Sequence, residues 1–95
     1  MRWSVTVVAE GDREVSREEV VELADAVAVW GGIASGIGTH RYGAQMVFEA
    51  ADRDAAMHRA REEFTKAVAI AGLPPWPIAT VEAISEAEDE LGGLT

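Results

Sequence analysis

No cysteine occurs in the 95 residues, so the chain has no disulfide scaffold, no thiol nucleophile and no cysteine-based zinc site. Long apolar runs are missing as well. The longest, such as Ala67 to Ala71, fall far short of the roughly 20 consecutive apolar residues that a bilayer requires. The opening Met1-Arg2-Trp3-Ser4-Val5-Thr6-Val7 alternates where a signal peptide would have a continuous apolar segment, and no targeting segment is read there. These absences predict a soluble, cytoplasmic protein. Positive charge is also scarce, with eight Lys and Arg, scattered along the chain, against seventeen Asp and Glu and a net charge of −9. Nucleic-acid affinity rests on Lys and Arg displacing counterions from phosphates, so direct binding of nucleic acid is not expected. An anionic membrane surface is disfavoured for the same reason.

What is present suits one globular domain with a single modest core: 48% of residues are apolar and 26% charged. The strongest internal feature is an echo at an offset of 41 residues. Ala26-Val27-Ala28-Val29-Trp30-Gly31 returns as Ala67-Val68-Ala69-Ile70-Ala71-Gly72. The same offset sets Val5 and Val7 on Met46 and Phe48, Leu23 on Phe64, and Ile37 and Thr39 on Ile78 and Thr80. An echo that runs through strand-like and helix-like stretches alike points to two copies of one supersecondary unit.

Trp3, Val5 and Val7 alternate with Ser4 and Thr6, which predicts a strand over about residues 2–9. Glu10-Gly11-Asp12-Arg13 is turn chemistry. Ser16-Arg17-Glu18-Glu19 fits a capping box, with Val15 placed to staple the entry of a helix whose apolar stripe is Val20, Leu23, Ala24, Val27 and Ala28. Gly31-Gly32 ends it. Residues 32–38 form a glycine-weakened strand, Thr39-His40-Arg41 a hairpin tip, and Tyr42, Ala44, Met46 and Phe48 a further half-buried strand. Asp52 can cap a second helix with the stripe Met57, Ala60, Phe64, Ala67, Val68 and Ala71. Gly72 and Pro74-Pro75 stop it. A last strand covers about 77–84 and belongs at a sheet edge, because Pro77 has no N–H to give to a ladder. Its inward face stays open: the echo turns Ile78 toward the helices, whereas simple alternation allows Ala79, Val81 and Ala83.

The order βαββαβ defines an α+β, ferredoxin-like split β-α-β sandwich. It has an antiparallel sheet of order 4-1-3-2 and both helices on one face. Residues 1–84 make this single domain. Residues 85–95 form an acidic tail or, from a second Ser-x-x-Glu pattern at Ser85, a short helix.

Candidate sites are few. Gly31-Gly32-x-x-x-Gly36-x-Gly38 is glycine-rich, but it leaves a helix and enters a strand, the reverse of a phosphate-binding loop. His58 follows Asp54 at helical spacing, yet two ligands off the apolar stripe do not make a metal site. No serine has a nucleophile setting, and the acid pairs Glu18-Glu19 and Glu62-Glu63 fall on solvated helix faces. No enzyme activity, metal or cofactor is expected. The contact candidates are Trp76, clasped in Leu73-Pro74-Pro75-Trp76-Pro77, and the tip residues His40, Arg41 and Tyr42. Trp76 can equally plug the end of the core, as Trp30 is expected to do.

Ala71-Gly72-Leu73-Pro74-Pro75-Trp76-Pro77-Ile78, followed by Val81 and the acidic Ser85-Glu86-Ala87-Glu88-Asp89-Glu90-Leu91, resembles the end of an uncharacterised N-terminal domain of small actinobacterial proteins. Some of those proteins continue into an excisionase-type helix-turn-helix, a pattern that these 95 residues do not contain. The resemblance implies an accessory or regulatory module and transfers no functional residues. Two functions follow as expectations. One is a protein-interaction or oligomerisation module using the open sheet face or an edge strand, as a homo-oligomer or with another protein. The alternative is a small-ligand sensing domain of the amino-acid-binding ferredoxin-like type, with a cavity near the Glu10-to-Asp12 turn or the edge of the second strand.

Overall fold

Alternation of apolar and polar side chains does become a strand. In the computed structural model, which describes residues 1–36 and 38–85, β1 spans Arg2–Glu10 with Trp3, Val5, Val7 and Ala9 buried on one face. The remaining elements are α1 (Arg17–Val27), β2 (Ile33–Ser35), β3 (Arg41–Glu49), α2 (Arg53–Ala71) and β4 (Ile78–Ser85), with one 3₁₀ turn at Ala28–Trp30. The architecture is α+β: a four-stranded antiparallel sheet and two helices, compatible with a ferredoxin-like class. Strand order is β2-β3-β1-β4, the expected order read from the opposite edge. None of the described helices is long and apolar enough to cross a membrane.

The first helix starts as its sequence dictates. Glu19 N–H donates to Ser16 Oγ (3.2 Å) and Ser16 N–H donates to Glu19 Oε1 (3.0 Å), which satisfies two otherwise free amides. Arg13 closes on the same carboxylate with Nη1 at 2.8 Å and Nη2 at 2.6 Å. The Arg13 guanidinium, with the Ser16 amide, holds the Glu19 carboxyl down at about 2. Because that pKa lies below the ordinary carboxylate value, this cluster stabilises the fold above about pH 4.5 and loses its contribution as pH falls toward about 2. Glu19→Gln is therefore expected to lower the urea midpoint at pH 6 and to leave it nearly unchanged at pH 2. Equal losses at both pH values would contradict this. Asp52 caps α2 by accepting from Ala55 N–H at 2.8 Å. The first helix stops at Val27, earlier than Gly31-Gly32, and passes into the 3₁₀ turn that Gly31 ends (φ 63°); Gly72 (φ 74°) ends α2, and at both left-handed glycines a side chain would be strained.

Two helical pairs related by the 41-residue offset share their burial. Leu23 and Phe64 are both buried, as are Val27 and Val68. The core joins β1, Tyr42, Ala44, Met46 and Phe48 of β3 to Val20, Leu23 and Val27 of α1 and to Ala56, Ala60, Phe64, Ala67 and Val68 of α2. Trp30 closes one end, its ring 5.1 Å from Phe48 with the Arg59 guanidinium 5.0 Å above it.

The open question on β4 has a structural answer. Val7 pairs with Val81 and Val5 with Ala83, so the alternating set faces the helices. A register shift between Val8 and Ala9 then brings Ile78 opposite Ala9, leaving Ala79 as the extra residue of a bulge. Ile78 and Val81, three apart, thereby both pack on the core. The second strand is shorter than its glycine-rich stretch allowed. Ile33 pairs with Gln45 on the outer face and Ala34 with buried Ala44 on the inner. Ile37 and the acidic segment 86–95 lie outside the described residues.

Candidate functional site

The tip segment 39–42 and the proline segment 74–77 meet in space. Gly11 N–H donates to the His40 carbonyl at 2.9 Å, and Glu10 N–H donates to the Pro77 carbonyl at 3.2 Å, so the end of β1 ties both together. Val15 N–H adds a bond to the Thr39 carbonyl at 2.8 Å. The polar tip residues thus hold the β1–α1 connection by their backbones. Of the side chains there, His40 is exposed and Arg41 pairs with Glu10 at 2.7 Å.

Tyr42 is not a surface contact. It is 1% exposed, and its hydroxyl donates to the Pro74 carbonyl at 2.6 Å, fixing the proline segment to the sheet. Burial pushes the Tyr42 hydroxyl above its ordinary pKa, so it stays protonated and keeps donating at neutral pH. Its ring is the middle member of a ladder, with Trp76 at 5.4 Å and 24° on one side and Phe64 at 5.8 Å and 27° on the other. Offset, nearly parallel rings at such spacing are a favourable aromatic arrangement.

Beside this ladder opens a pocket of about 480 Å³ between the C-terminal half of α2 and the first residue of β4. Phe64, Thr65, Val68 and Ala69 of α2 form one wall, Tyr42 and Ile78 the sheet side, and Leu73, Pro75 and Trp76 the rim. Among the described residues of the lining, Tyr42 is the titratable one. Thr65 Oγ1 donates to the Arg61 carbonyl at 2.8 Å, so both lining hydroxyl protons are already engaged.

Trp76 is positioned from behind. A Cβ on Gly11 would overlap the indole at Cδ2 and Cε2, so the ring lies directly against bare backbone. The Arg13 guanidinium stacks on the ring at 5.8 Å while it is held by Glu19, which links the cap of α1 to the pocket rim. Arginines cover the other tryptophans similarly, Arg53 over Trp3 at 5.5 Å and Arg59 over Trp30.

Of the four contact candidates, then, Trp76 and Tyr42 come together in the pocket, whereas His40 and Arg41 are absent from its lining. The cavity was expected near the Glu10-to-Asp12 turn or the edge of the second strand. It lies instead at the β4 edge, where Gly11 of that turn lies against Trp76 of the rim. Sequence spacing could not group residues 42, 64 and 76, which come from three different elements, nor mark Gly11 as more than a turn glycine. His58 is exposed and pairs with Glu62 at 2.6 Å instead of Asp54, and among the described residues no group of three His, Cys, Asp or Glu could hold a metal ion. Comparison of the chain with protein-family models, curated proteins and solved structures gives no significant match.

Proposed function

We propose that this domain is a non-catalytic binding module of the ferredoxin-like type that holds a small apolar ligand in the pocket of Tyr42, Phe64 and Trp76. The observation that carries the reading is the pocket itself, about 480 Å³ in a domain of 95 residues, with three aromatic rings around it. Ligand sites typically enclose about 300–1,000 Å³ lined mainly by apolar and aromatic side chains. Among the described residues the lining holds no carboxylate, imidazole or amine, which suits binding rather than proton transfer. The resemblance of the Gly72-Leu73-Pro74-Pro75-Trp76-Pro77 segment to an actinobacterial accessory domain supports a regulatory setting for such a sensor, and the composition a cytoplasmic one. A library of apolar metabolites is expected to contain members that raise the melting temperature. Trp76→Ala should weaken their binding about tenfold or more, through the lost ring contact. A broad library without a shift, or binding indifferent to Trp76→Ala, would overturn the proposal.

A second reading has its own support. Ile33, Val47 and Ile84 are exposed on the outer face of the sheet, where Ser4 pairs with both Val47 and Ile84. Three large aliphatic side chains on one face suit self-association or a protein partner. Sedimentation over a concentration series tests this, and a strict monomer at millimolar concentration would remove the homo-oligomer.

A further inference from the structure

We infer that the outer face of the sheet takes a second copy of this chain, packed face to face across a two-fold axis with the strands of the two sheets aligned. The inference rests on the second reading above and commits it to one partner and one orientation.

The face has an apolar middle and charged ends. Across the strands, Val47, Ser4 and Ile84 form one row, Ile33, Gln45, Thr6 and Glu82 the next, and Ser35, Gly43, Val8 and Thr80 a third. Ile33, Val47 and Ile84 are exposed there. Gln45 Nε2 donates to Ser4 Oγ at 2.7 Å, so two polar groups of the middle already satisfy each other. Every charged side chain of the four strands belongs to this face: Arg2, Glu10, Arg41, Glu49 and, at the β4 rim, Glu82. Two cations against three carboxylates come close to balance, in a chain of net charge −9. A second copy meeting this face is therefore repelled less than the net charge alone would dictate.

The end charges select the partner and its direction. At one end Arg2 of β1 pairs with Glu49 of β3, Nε to Oε1 at 3.9 Å. At the other the signs are exchanged, Glu10 of β1 against Arg41 of β3 at 2.7 Å. Cations and carboxylates thus hold alternate corners of a rectangle. Turning a second copy over this rectangle about an in-plane two-fold axis, along the strands or across them, sets each arginine over a glutamate. With the strands crossed at right angles the corners no longer coincide, because the nine-residue strands run about 30 Å but lie only ~4.8 Å apart. Sheets packed with aligned strands lie about 10 Å apart, a gap that Arg and Glu side chains reach across. A second copy carries the matching corners by symmetry. The flat area, about 30 Å by three strand spacings, is roughly 450 Å² per copy against the ~800 Å² of a standard interface, so the dimer is weak and reversible.

The test is sedimentation of the full chain up to millimolar concentration, where the wild type should form a weak dimer. Val47→Lys, which sets a charge in the middle of the face, should weaken it about tenfold or more. Val21→Lys, at an exposed apolar position of α1, should leave it unchanged. Two further variants make the corners alike: Arg2→Glu/Arg41→Glu all acidic, and Glu10→Lys/Glu49→Lys all basic. The four residues are exposed, and circular dichroism should show both variants folded. Each alone should dimerise about tenfold more weakly than the wild type, and an equimolar mixture should return to within about threefold of it. Both variants stay net acidic, so overall attraction would not produce that recovery. A dimer that Val47→Lys weakens but mixing does not restore overturns the aligned arrangement, while the face reading stands. A dimer weakened by Val21→Lys and indifferent to Val47→Lys overturns the face as well. A strict monomer at millimolar concentration overturns the second copy as its occupant, together with the homo-oligomer.

Discussion

Phe64→Ala is expected to lower the free energy of unfolding by about 3–5 kcal/mol, the cost of removing a large aromatic side chain from a packed interior. Phe64 is 2% exposed, and it stacks on Tyr42 from the middle of α2. Its loss would leave a void continuous with the existing pocket. It would also remove one side of the ring ladder, so the site and the core would fail together. Small domains have only about 5–15 kcal/mol of stability, so the variant should be largely unfolded near physiological temperature. Phe64→Leu, which keeps most of the volume, should lose less than half as much. Urea unfolding followed by circular dichroism measures both, and a loss under about 1 kcal/mol for the alanine variant would refute the packing described here.

The second large effect is expected at Gly36. Its φ of 127° lies where side chains are disfavoured, and a Cβ there would overlap the Arg41 carbonyl oxygen and stand 2.9 Å from Tyr42 Cα. Those neighbours are backbone atoms of β3 and cannot turn aside. Thr39 reinforces the geometry, donating from both N–H (3.0 Å) and Oγ1 (2.8 Å) to the Gly36 carbonyl. Gly36→Ala should therefore cost about 3 kcal/mol or more, strain and displaced backbone together. Gly38 is the control. It also has positive φ (75°), but nothing lies within 4 Å of its Cβ position, so Gly38→Ala should cost only about 1–2 kcal/mol. Similar losses at the two positions would mean that conformation alone, without close approach, accounts for Gly36.

The local rules in this chain were legible because they act between near neighbours. Ser16 and Glu19 make the capping box, Asp52 caps α2, Gly72 ends α2 and Gly31 ends the 3₁₀ turn that follows α1, both in left-handed geometry. The alternation of Trp3, Val5 and Val7 names the buried face of β1, and element order with right-handed crossovers gives the strand order. Tyr42 shows where this kind of reading stops. Placed next to an exposed tip, it reads as a surface residue, yet the alternation of its own strand turns it inward beneath Pro74. The face of β4 was ambiguous for a similar reason. Both Ile78 and Val81 are inward, which no strict two-residue period can give without the bulge at Ala79.

By itself, then, the sequence determined the elements, their caps and stops, the inward faces of β1 and β3, and the two-helix, four-strand arrangement. Each of these follows from hydrogen bonds and apolar periodicity along a short stretch of chain. Only the tertiary structure decided that Tyr42, Phe64 and Trp76 form a ring ladder beside an apolar pocket, and that Gly11 must be glycine to seat an indole 65 residues away in sequence. The physical reason is that a pocket wall is a contact between surfaces of different elements. Its members share no spacing in the chain and meet only after the sheet has brought the end of β1, the tip of β3 and the proline segment to one place.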